Sequence, residues 1–146
     1  MPQPVAAPTY SVVIPVYNST RSVTELCDRL AVVFEKMEAT FEIIMVDDAS
    51  PNPDVWPTLV SLAEHDPRLH CIQLMMNVGQ HNATICGMRA ARGRFIVMMD
   101  DDLQHLPEEL PRLVAKITEA PGYDAVLATP RLKSHSSLRN KGSVLI

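Results

Sequence analysis

The amino-acid sequence predicts an α/β fold, in which a mostly parallel sheet carries helices on both faces and forms the middle of three layers. Short apolar runs alternate with segments of helical periodicity, which is the pattern of repeated βαβ units. Three of the apolar runs end in polar or acidic residues. At 146 residues, with 47% hydrophobic and 21% charged side chains, the chain is long and apolar enough for one globular domain.

The first strand and the first helix have the clearest patterns. A buried strand is predicted to start at Tyr10 and to stop at Pro15, because proline donates no hydrogen bond to a central ladder. From Ser22 onward apolar residues recur at helical spacing, and Ser19, Thr20 or Ser22 is available as the N-cap. Residues 1–9 are expected to form a flexible leader, so that the folded domain covers residues 10–146.

The same alternation continues to the fourth strand. A second strand is predicted over residues 41–46, a weaker helix over about 54–64 and a third strand over about 69–75. Small residues then give the next helix a thin face that can pack close to the sheet: Ala83, Cys86, Gly87, Ala90 and Ala91. Gly93 is the expected C-cap of this helix, and the fourth strand follows at 95–99.

One more helix and one more strand are predicted after residue 102. Apolar residues at helical spacing start at Leu110, and Pro111 is tolerated only near the start of that helix. A fifth strand covers residues 123–128, and a polar, basic segment follows at 131–141. The methionine pairs 75–76 and 98–99 are expected to fill the core.

Charge and cysteine content argue against several classes of protein. A net charge of -4 and a pI of about 5.7 leave no broad basic surface, so nucleic acid is not an expected partner. Three cysteines without C-x-x-C spacing, each in an apolar segment, indicate buried thiols in a reducing compartment. The first residues have neither the charged start nor the long apolar core of a signal peptide or a membrane span.

The run Asp100-Asp101-Asp102 is the strongest indication of a functional site. It follows a buried strand, and three adjacent carboxylates repel one another unless a cation or strong donors compensate them. Hard cations such as Mg²⁺ or Mn²⁺ take oxygen ligands, and alternate residues of an extended segment point the same way. We therefore expect Asp100 and Asp102 to share one ion and Asp101 to face elsewhere. The simpler interpretation is an acidic turn that caps the next helix.

Two further strand ends are polar. The first strand leads into Pro15, Tyr17 and Asn18, and the second into Asp47 and Asp48. These residues meet the acidic run if strands one, two and four are neighbours, because ligands of open α/β sheets bind at the carboxyl ends of the strands. The sequence has no glycine-rich phosphate loop, which favours a nucleotide whose phosphates are neutralised by a metal ion, such as a nucleotide sugar.

Four motifs, in order, resemble those of the family 2 glycosyltransferases, which have the Rossmann-like GT-A fold. They are Ser11-Val-Val-Ile-Pro-Val-Tyr-Asn18, Val46-Asp-Asp-Ala-Ser50, Asn77-Val-Gly-Gln-His-Asn-Ala83, and Asp100-Asp-Asp-Leu-Gln104 with Pro107-Glu-Glu109. The similarity extends from about Tyr10 to the last residue and is greatest to the polyprenyl-phosphate (dolichol- and undecaprenyl-phosphate) sugar transferases. Three positions depart from the family pattern: Ser19 replaces a frequent glutamate, Ala49 a common glycine and Asp101 a common alanine.

The resemblance implies a set of nucleotide-sugar-binding residues: Pro15, Tyr17, Asn18, Asp47, Asp48, Asp100, Asp101, Asp102 and Arg131. The first three would line the base and ribose pocket, and the acids after the second strand would accept a hydrogen bond from the base. Asp100 and Asp102 would hold the ion, Mg²⁺ or Mn²⁺, with Gln104 as a further ligand. Arg131 would approach the diphosphate, since a guanidinium matches phosphate oxygens.

The reaction that the resemblance implies is a metal-dependent, inverting transfer of a sugar from a nucleotide-diphosphate donor, UDP in preference to GDP, to a polyprenyl phosphate. In that family the catalytic base and the membrane-spanning helices belong to a C-terminal half that this sequence lacks. We therefore expect a truncated donor-binding part, soluble alone, of an enzyme that works at the cytoplasmic face of a membrane. The alternative is a nucleotide-sugar-binding module without turnover, and oligomeric state is left open. A receiver or phosphatase-type domain fits less well, because Pro15 and Arg131 stand where a receiver has its acids and its lysine.

Overall fold

The computed structural model describes residues 6–119, 123–128 and 144–145. The strands in these ranges are β1 (Tyr10–Val16), β2 (Phe41–Asp47), β3 (Leu69–Gln73), β4 (Phe95–Met98), β5 (Leu127–Ala128) and β6 (Val144–Leu145). The helices are α1 (Arg21–Lys36), α2 (Val55–His65), α3 (Gln80–Ala90) and α4 (Leu110–Glu119), the last preceded by a 3-10 turn at Pro107–Glu109. Most of the predicted leader, residues 1–5, and the basic segment 131–141 lie outside the described residues.

The strands form one sheet in the order β3-β2-β1-β4-β6-β5. β1 pairs in parallel with β2 and β4, and β2 with β3, whereas β6 is antiparallel to both β4 and β5. The mostly parallel sheet is confirmed. The prediction of five strands was wrong, because β6 lies in a stretch too short to show a period, and β5 keeps only the last two residues of the predicted strand.

Alternate strand residues build a core on each face of the sheet. On one face the core joins the strands to α1, α2 and α4, and its largest buried side chains include Ile14, Leu30, Phe34, Met45, Leu59 and Leu110. On the other face Ile44 and Val46 pack against Ala83 of α3. In the described part of the chain, helices therefore cover both faces, and the expected three layers are confirmed.

Two glycines allow close approach between α3, its following loop and the sheet. A Cβ at Gly87 would lie 2.4 Å from Val13 Cγ1, so the predicted thin face of α3 is confirmed. Gly93 is not the C-cap of α3 as predicted, because that position is Ala91. The Gly93 amide instead donates to Ser11 Oγ at 2.8 Å, and a Cβ there would lie 2.6 Å from the Ser11 backbone nitrogen.

Pro15 does not end β1, which continues to Val16. The carbonyl of Val13 accepts the Met99 amide at 3.1 Å, whereas the carbonyl of Val16 accepts the Asp48 amide at 3.0 Å. Pro15 therefore faces the β4 side, and pairing with β4 has already ended at Val13. The missing N–H of proline costs no ladder hydrogen bond at this position, which is why the strand can pass through it.

The methionine pair at 75–76 does not fill the core as predicted. Met75 is fully exposed and Met76 is 68% exposed, because β3 ends at Gln73 and the chain then leaves the sheet. At the other pair Met99 is buried and Met98 is partly buried. The periodicity of the third strand was extended two residues too far.

The three cysteines are free thiols, and the predicted burial is confirmed for Cys27 but was wrong for Cys71 and Cys86. Cys27 is buried, and this burial, with a smaller contribution from Asp28 and Asp66, raises the pKa of its thiol to about 12. Cys71 and Cys86 are only partly buried. Among the described helices, none combines the length and the apolar composition needed to cross a bilayer.

Candidate functional site

The sheet order places the site-forming strand ends side by side. β1 lies between β2 and β4, and the chain runs outward in opposite directions from β1: through β2 to β3 on one side and to β4 on the other. The carboxyl ends of β1 and β4 therefore form a topological switch point, where open α/β sheets bind their ligands. The condition set by the sequence, that strands one, two and four be neighbours, is fulfilled.

The loop after β1 carries Tyr17 and Asn18 at this switch point. The Tyr17 side chain is 50% exposed, and Asn18 adopts a left-handed conformation with φ of 60°. The Asn18 amide donates to Ser50 Oγ at 2.9 Å, and its Oδ1 accepts the Asn52 amide at 3.2 Å. These contacts fix the β1–α1 loop against the β2–α2 loop, since non-glycine residues hold this backbone conformation only where their surroundings determine it.

Asp47 and Asp48 are almost completely buried, with 1% and 3% of their surfaces exposed. Asp47 accepts the Ser50 amide at 3.0 Å and the side-chain amide of Gln73 at 3.3 Å. The two oxygens of Asp48 accept two successive backbone amides from the β3–α3 loop, Val78 at 2.8 Å and Gly79 at 2.9 Å. Both acids thus organise the loops beside the switch point, a role that their sequence pattern did not reveal.

Asp100 lies at the end of β4, on the side of the sheet that faces α3. Its Oδ1 accepts a hydrogen bond at 2.5 Å from the side chain of Gln80, the first residue of α3. Burial and then the charge of Asp102 raise the pKa of Asp100, while His105 and the Gln80 hydrogen bond oppose the rise. Gln80 belongs to the third sequence motif, but the sequence assigned it no role.

Asp101 and Asp102 have different surroundings. Asp101 accepts the Tyr17 amide at 3.2 Å and a hydrogen bond from the Ser19 side chain. Burial raises the pKa of Asp101, and these two donors limit the rise. Asp102 is exposed, and its Oδ1 accepts the Gln104 amide at 3.0 Å across a turn in which Leu103 has φ of 59°.

The carboxylates at the end of β4 suit a hard divalent cation that a ligand's phosphates help to bind. Among the described residues, no three His, Cys, Asp or Glu side chains are gathered as a complete metal site. Mg²⁺ commonly binds through only one or two carboxylates together with substrate phosphates, and Asp100 and Asp102 offer two carboxylates. The side chain of Gln104 is exposed beside them, and Arg131 lies outside the described residues.

A mostly parallel sheet with acidic and polar loops at its switch point defines the class of α/β proteins that bind ligands at the carboxyl ends of their strands. The particular family follows from comparison with known proteins. The sequence matches the family model described as Glycosyl transferase family 2 over residues 11–144, and the chain belongs to this family.

Curated relatives carry the name undecaprenyl-phosphate 4-deoxy-4-formamido-L-arabinose transferase. The protein from Shewanella sediminis (strain HAW-EB3) is 40% identical over 136 residues, which cover 93% of this chain and 40% of the relative. The protein from Salmonella choleraesuis (strain SC-B67) is 38% identical over 136 residues, which cover 93% of this chain and 41% of the relative. The chain thus spans about two fifths of the length of these relatives.

Two solved structures share the fold. The mannosyltransferase PcManGT from Pyrobaculum calidifontis, in complex with GDP-Man and Mn²⁺, matches with a TM-score of 0.70 and 26% identity over 90% of this chain and 38% of that one. S. aureus TarS 1-349 in complex with UDP matches with a TM-score of 0.63 and 26% identity, with the same coverage of 90% and 38%. The GT-A fold and the resemblance to polyprenyl-phosphate sugar transferases are confirmed.

Proposed function

We propose that this chain binds the donor of a glycosyltransferase that moves a sugar from a nucleotide diphosphate to a polyprenyl phosphate. One observation carries the proposal: Asp100 and Asp102 follow β4 next to the end of β1, at the switch point of the sheet. A diphosphate at this point would lie between the acidic turn and the β1–α1 loop. Transfer itself is proposed for the whole protein, because this chain spans only about two fifths of the length of its curated relatives.

The base and ribose pocket is proposed to lie on the β1 and β2 side of the switch point. The half-exposed ring of Tyr17 is available to contact a nucleotide base, and Pro15 and Asn18 border the same loop. Asp47 and Asp48 are the proposed acceptors for the base, although each already holds backbone amides. A carboxylate oxygen has two lone pairs, so these hydrogen bonds leave capacity for a further donor.

The diphosphate is proposed to bind on the β4 side with a divalent cation, Mg²⁺ or Mn²⁺. Asp100 and Asp102 would hold this cation, with Gln104 as a further oxygen ligand, and Arg131 would neutralise the diphosphate from the following segment. When bound, the ion supplies Lewis-acid stabilisation of the charge that develops on the leaving diphosphate. The hydrogen bond from Gln80 keeps Asp100 oriented toward the α3 side of the switch point.

The identity of donor and acceptor rests on the named relatives. The curated relatives are named for undecaprenyl phosphate, which supports a polyprenyl phosphate acceptor. The cytoplasmic face of a membrane is proposed from the family resemblance. One structural neighbour was solved with UDP and another with GDP-Man, and UDP is the proposed donor because residues 77–83 and 107–116 resemble the aminoarabinose-type transferases. An acceptor phosphate is already anionic, so an inverting displacement can depend mainly on positioning and leaving-group stabilisation.

The proposal is tested by titration calorimetry of UDP and then GDP into the purified chain, with Mn²⁺ and with EDTA. We expect UDP to bind more tightly than GDP and Mn²⁺ to increase its affinity by about tenfold or more, because the ion offsets the repulsion between carboxylates and diphosphate. The double change Asp100→Ala with Asp102→Ala should remove the Mn²⁺ dependence. Glu64→Ala, an exposed acid on α2, is the matched control and should change nothing.

Two results would contradict the proposal. One is the absence of nucleotide binding by wild-type chain whose folding is verified by circular dichroism. The other is metal-dependent UDP binding that survives the double change at Asp100 and Asp102, which would place the ion elsewhere. Equal affinity for UDP and GDP would overturn only the preference for uridine.

A further inference from the structure

Asp101 connects two loops that would hold different parts of the donor. Its carboxylate accepts the Tyr17 amide at 3.2 Å and a hydrogen bond from the Ser19 side chain. Tyr17 and Ser19 belong to the β1–α1 loop, whereas Asp101 lies in the acidic turn after β4. The contact spans 84 residues of sequence and crosses the switch point itself.

The three acids of the turn therefore have different hydrogen-bond partners. Asp100 is held by Gln80 of α3, and the exposed Asp102 accepts the amide of Gln104 within its own turn. Of the three, Asp101 is the acid with a hydrogen bond to the β1–α1 loop, and it lies in a turn beyond the end of β4 and not in an extended strand. Two protein donors, the Tyr17 amide and the Ser19 side chain, therefore hold the Asp101 carboxylate toward that loop.

Two strained residues lie on either side of this contact. Asn18, next to Tyr17, has φ of 60°, and Leu103, two residues after Asp101, has φ of 59°. Such conformations persist only where neighbouring contacts fix them. Asn18 has a second set of contacts, to Ser50 and Asn52 of the β2–α2 loop, so loss of the Asp101 contact would loosen the loop without unfolding it.

We propose that Asp101 is a positioning residue, which holds the Tyr17 loop in the shape that accepts the nucleotide base and does not itself contact the metal or the donor. This inference rests on the proposed function of the switch point as a donor site. It gives a reason for an acid at a position where the resembling family commonly has alanine. It also predicts that one substitution can weaken binding of the base, on the β1 and β2 side of the site, without weakening metal-dependent binding of the diphosphate on the β4 side.

The experiment compares Asp101→Ala, Asp101→Asn and wild type in two titrations. UMP lacks the second phosphate, so its binding in EDTA reports mainly the part of the site that holds the base and ribose. The ratio of UDP affinities with Mn²⁺ and with EDTA reports the part that holds the diphosphate. Asp101→Ala should weaken UMP binding by about fivefold to tenfold, the effect of losing hydrogen bonds to a charged acceptor in a partly exposed site. It should leave the Mn²⁺ ratio within about twofold of wild type.

The Asp101→Asn variant tests whether Asp101 positions the Tyr17 loop or binds the metal or the diphosphate directly. Asn keeps an oxygen that accepts the Tyr17 amide, so Asp101→Asn should restore UMP affinity to within about twofold of wild type. If Asp101 bound the metal or the diphosphate, Asp101→Asn would lower the Mn²⁺ ratio, and that result overturns the proposal. Unchanged UMP affinity in Asp101→Ala, with wild type binding normally, overturns it as well.

A second variant covers the case in which Asp101→Ala does not fold. Ser19→Ala removes the other donor of the same contact and should weaken UMP binding, and no effect would contradict the inference. Where both variants fold, their effects should be less than additive, because they break one contact. Wild-type chain that binds neither UMP nor UDP would instead refute the proposed function, so the two failures are distinguishable.

Discussion

Ala49 has a backbone conformation that disfavours its side chain. It follows Asp48 in the β2–α2 loop with φ of 53°, a left-handed conformation that disfavours a Cβ. We expect Ala49→Gly to increase the free energy of unfolding by about 1 kcal/mol, since the relief of left-handed strain exceeds the entropy that glycine loses on folding. Urea denaturation at pH 7 measures this change.

The control for this substitution is Ala115→Gly inside α4, which should destabilise the chain by about 1 kcal/mol because glycine is a poor helix former. If both substitutions destabilised the chain equally, the strain at residue 49 would be absent. The sequence could show only that the resembling family commonly has glycine at this position. The reason for that preference is a dihedral angle, which no composition or periodicity contains.

For the site residues too, the sequence predicted which strand ends carry acids but not which hydrogen bonds those acids make. The sequence predicted that acids after β2 and β4 would meet, and the sheet order brings these strand ends together at β1. It did not predict that Asp48 holds the amides of Val78 and Gly79, or that Asp101 holds Tyr17. Residue type indicates that a carboxylate needs a partner, but a partner 30 or 84 residues away depends on the tertiary fold.

At the scale of elements, an ion pair between buried Glu42 and half-exposed Arg92 stabilises the end of the sheet opposite to the site. Glu42 of β2, with 2% of its surface exposed, accepts hydrogen bonds from Ser11 Oγ at 2.6 Å and from the backbone and side chain of Arg92 at 2.6–2.9 Å. Burial by itself raises the pKa of Glu42, but these donors outweigh it and leave the pKa below its ordinary value of 4.5. The network joins β1, β2 and the α3–β4 loop.

This network predicts a specific pH dependence of stability. A carboxyl whose pKa is lowered by folding stabilises the chain above its unfolded-state pKa, and that contribution is lost as pH falls through the lower folded-state value. Glu42→Gln should therefore cost about 2 kcal/mol at neutral pH, and the difference from wild type should shrink as pH falls below about 4.5. Urea denaturation at several pH values between about 6 and 3 measures it.

Glu64→Gln on the exposed side of α2 is the control for Glu42→Gln, because Glu64 makes no such network among the described residues. Parallel stability curves for wild type and Glu42→Gln over the whole pH range would show that Glu42 is protonated equally in both states. This pair could not be predicted from the sequence, because Glu42 is an isolated acid inside an apolar run and Arg92 lies 50 residues away.

The elements that the sequence predicted well have long, regular hydrophobic patterns. The errors occur where a contact with a residue distant in sequence outweighs a local preference, such as that of proline to end a strand. β1 passes through Pro15 because its neighbour β4 has already ended there. Gly93 serves close packing against Ser11 and not helix termination. β6 has two residues and takes its place in the sheet only by pairing with β4 and β5. In each case the deciding partner is distant in sequence.

For the whole molecule, the order of strands decides which loops can act together. The segments 17–19, 48–52 and 100–104 are far apart in sequence but meet at one edge, because β1 is central between β2 and β4. The sequence could not fix this order, since local periodicity identifies strands without stating their neighbours. The β1–α1 loop is hydrogen-bonded to both of the other segments. Asn18 bonds to Ser50, and Tyr17 bonds to Asp101.

We expect a bound donor to slow amide hydrogen exchange in these three segments together. A ligand that contacts loops from β1, β2 and β4 stabilises their closed arrangement, so UDP with Mn²⁺ should protect 17–19, 48–52 and 100–104, while β1 and β2 exchange slowest with or without it because all their residues are buried. EDTA should reverse the effect most at 100–104. Mass spectrometry of exchanged peptides measures this pattern, and protection confined to one segment would mean that the loops do not share a ligand.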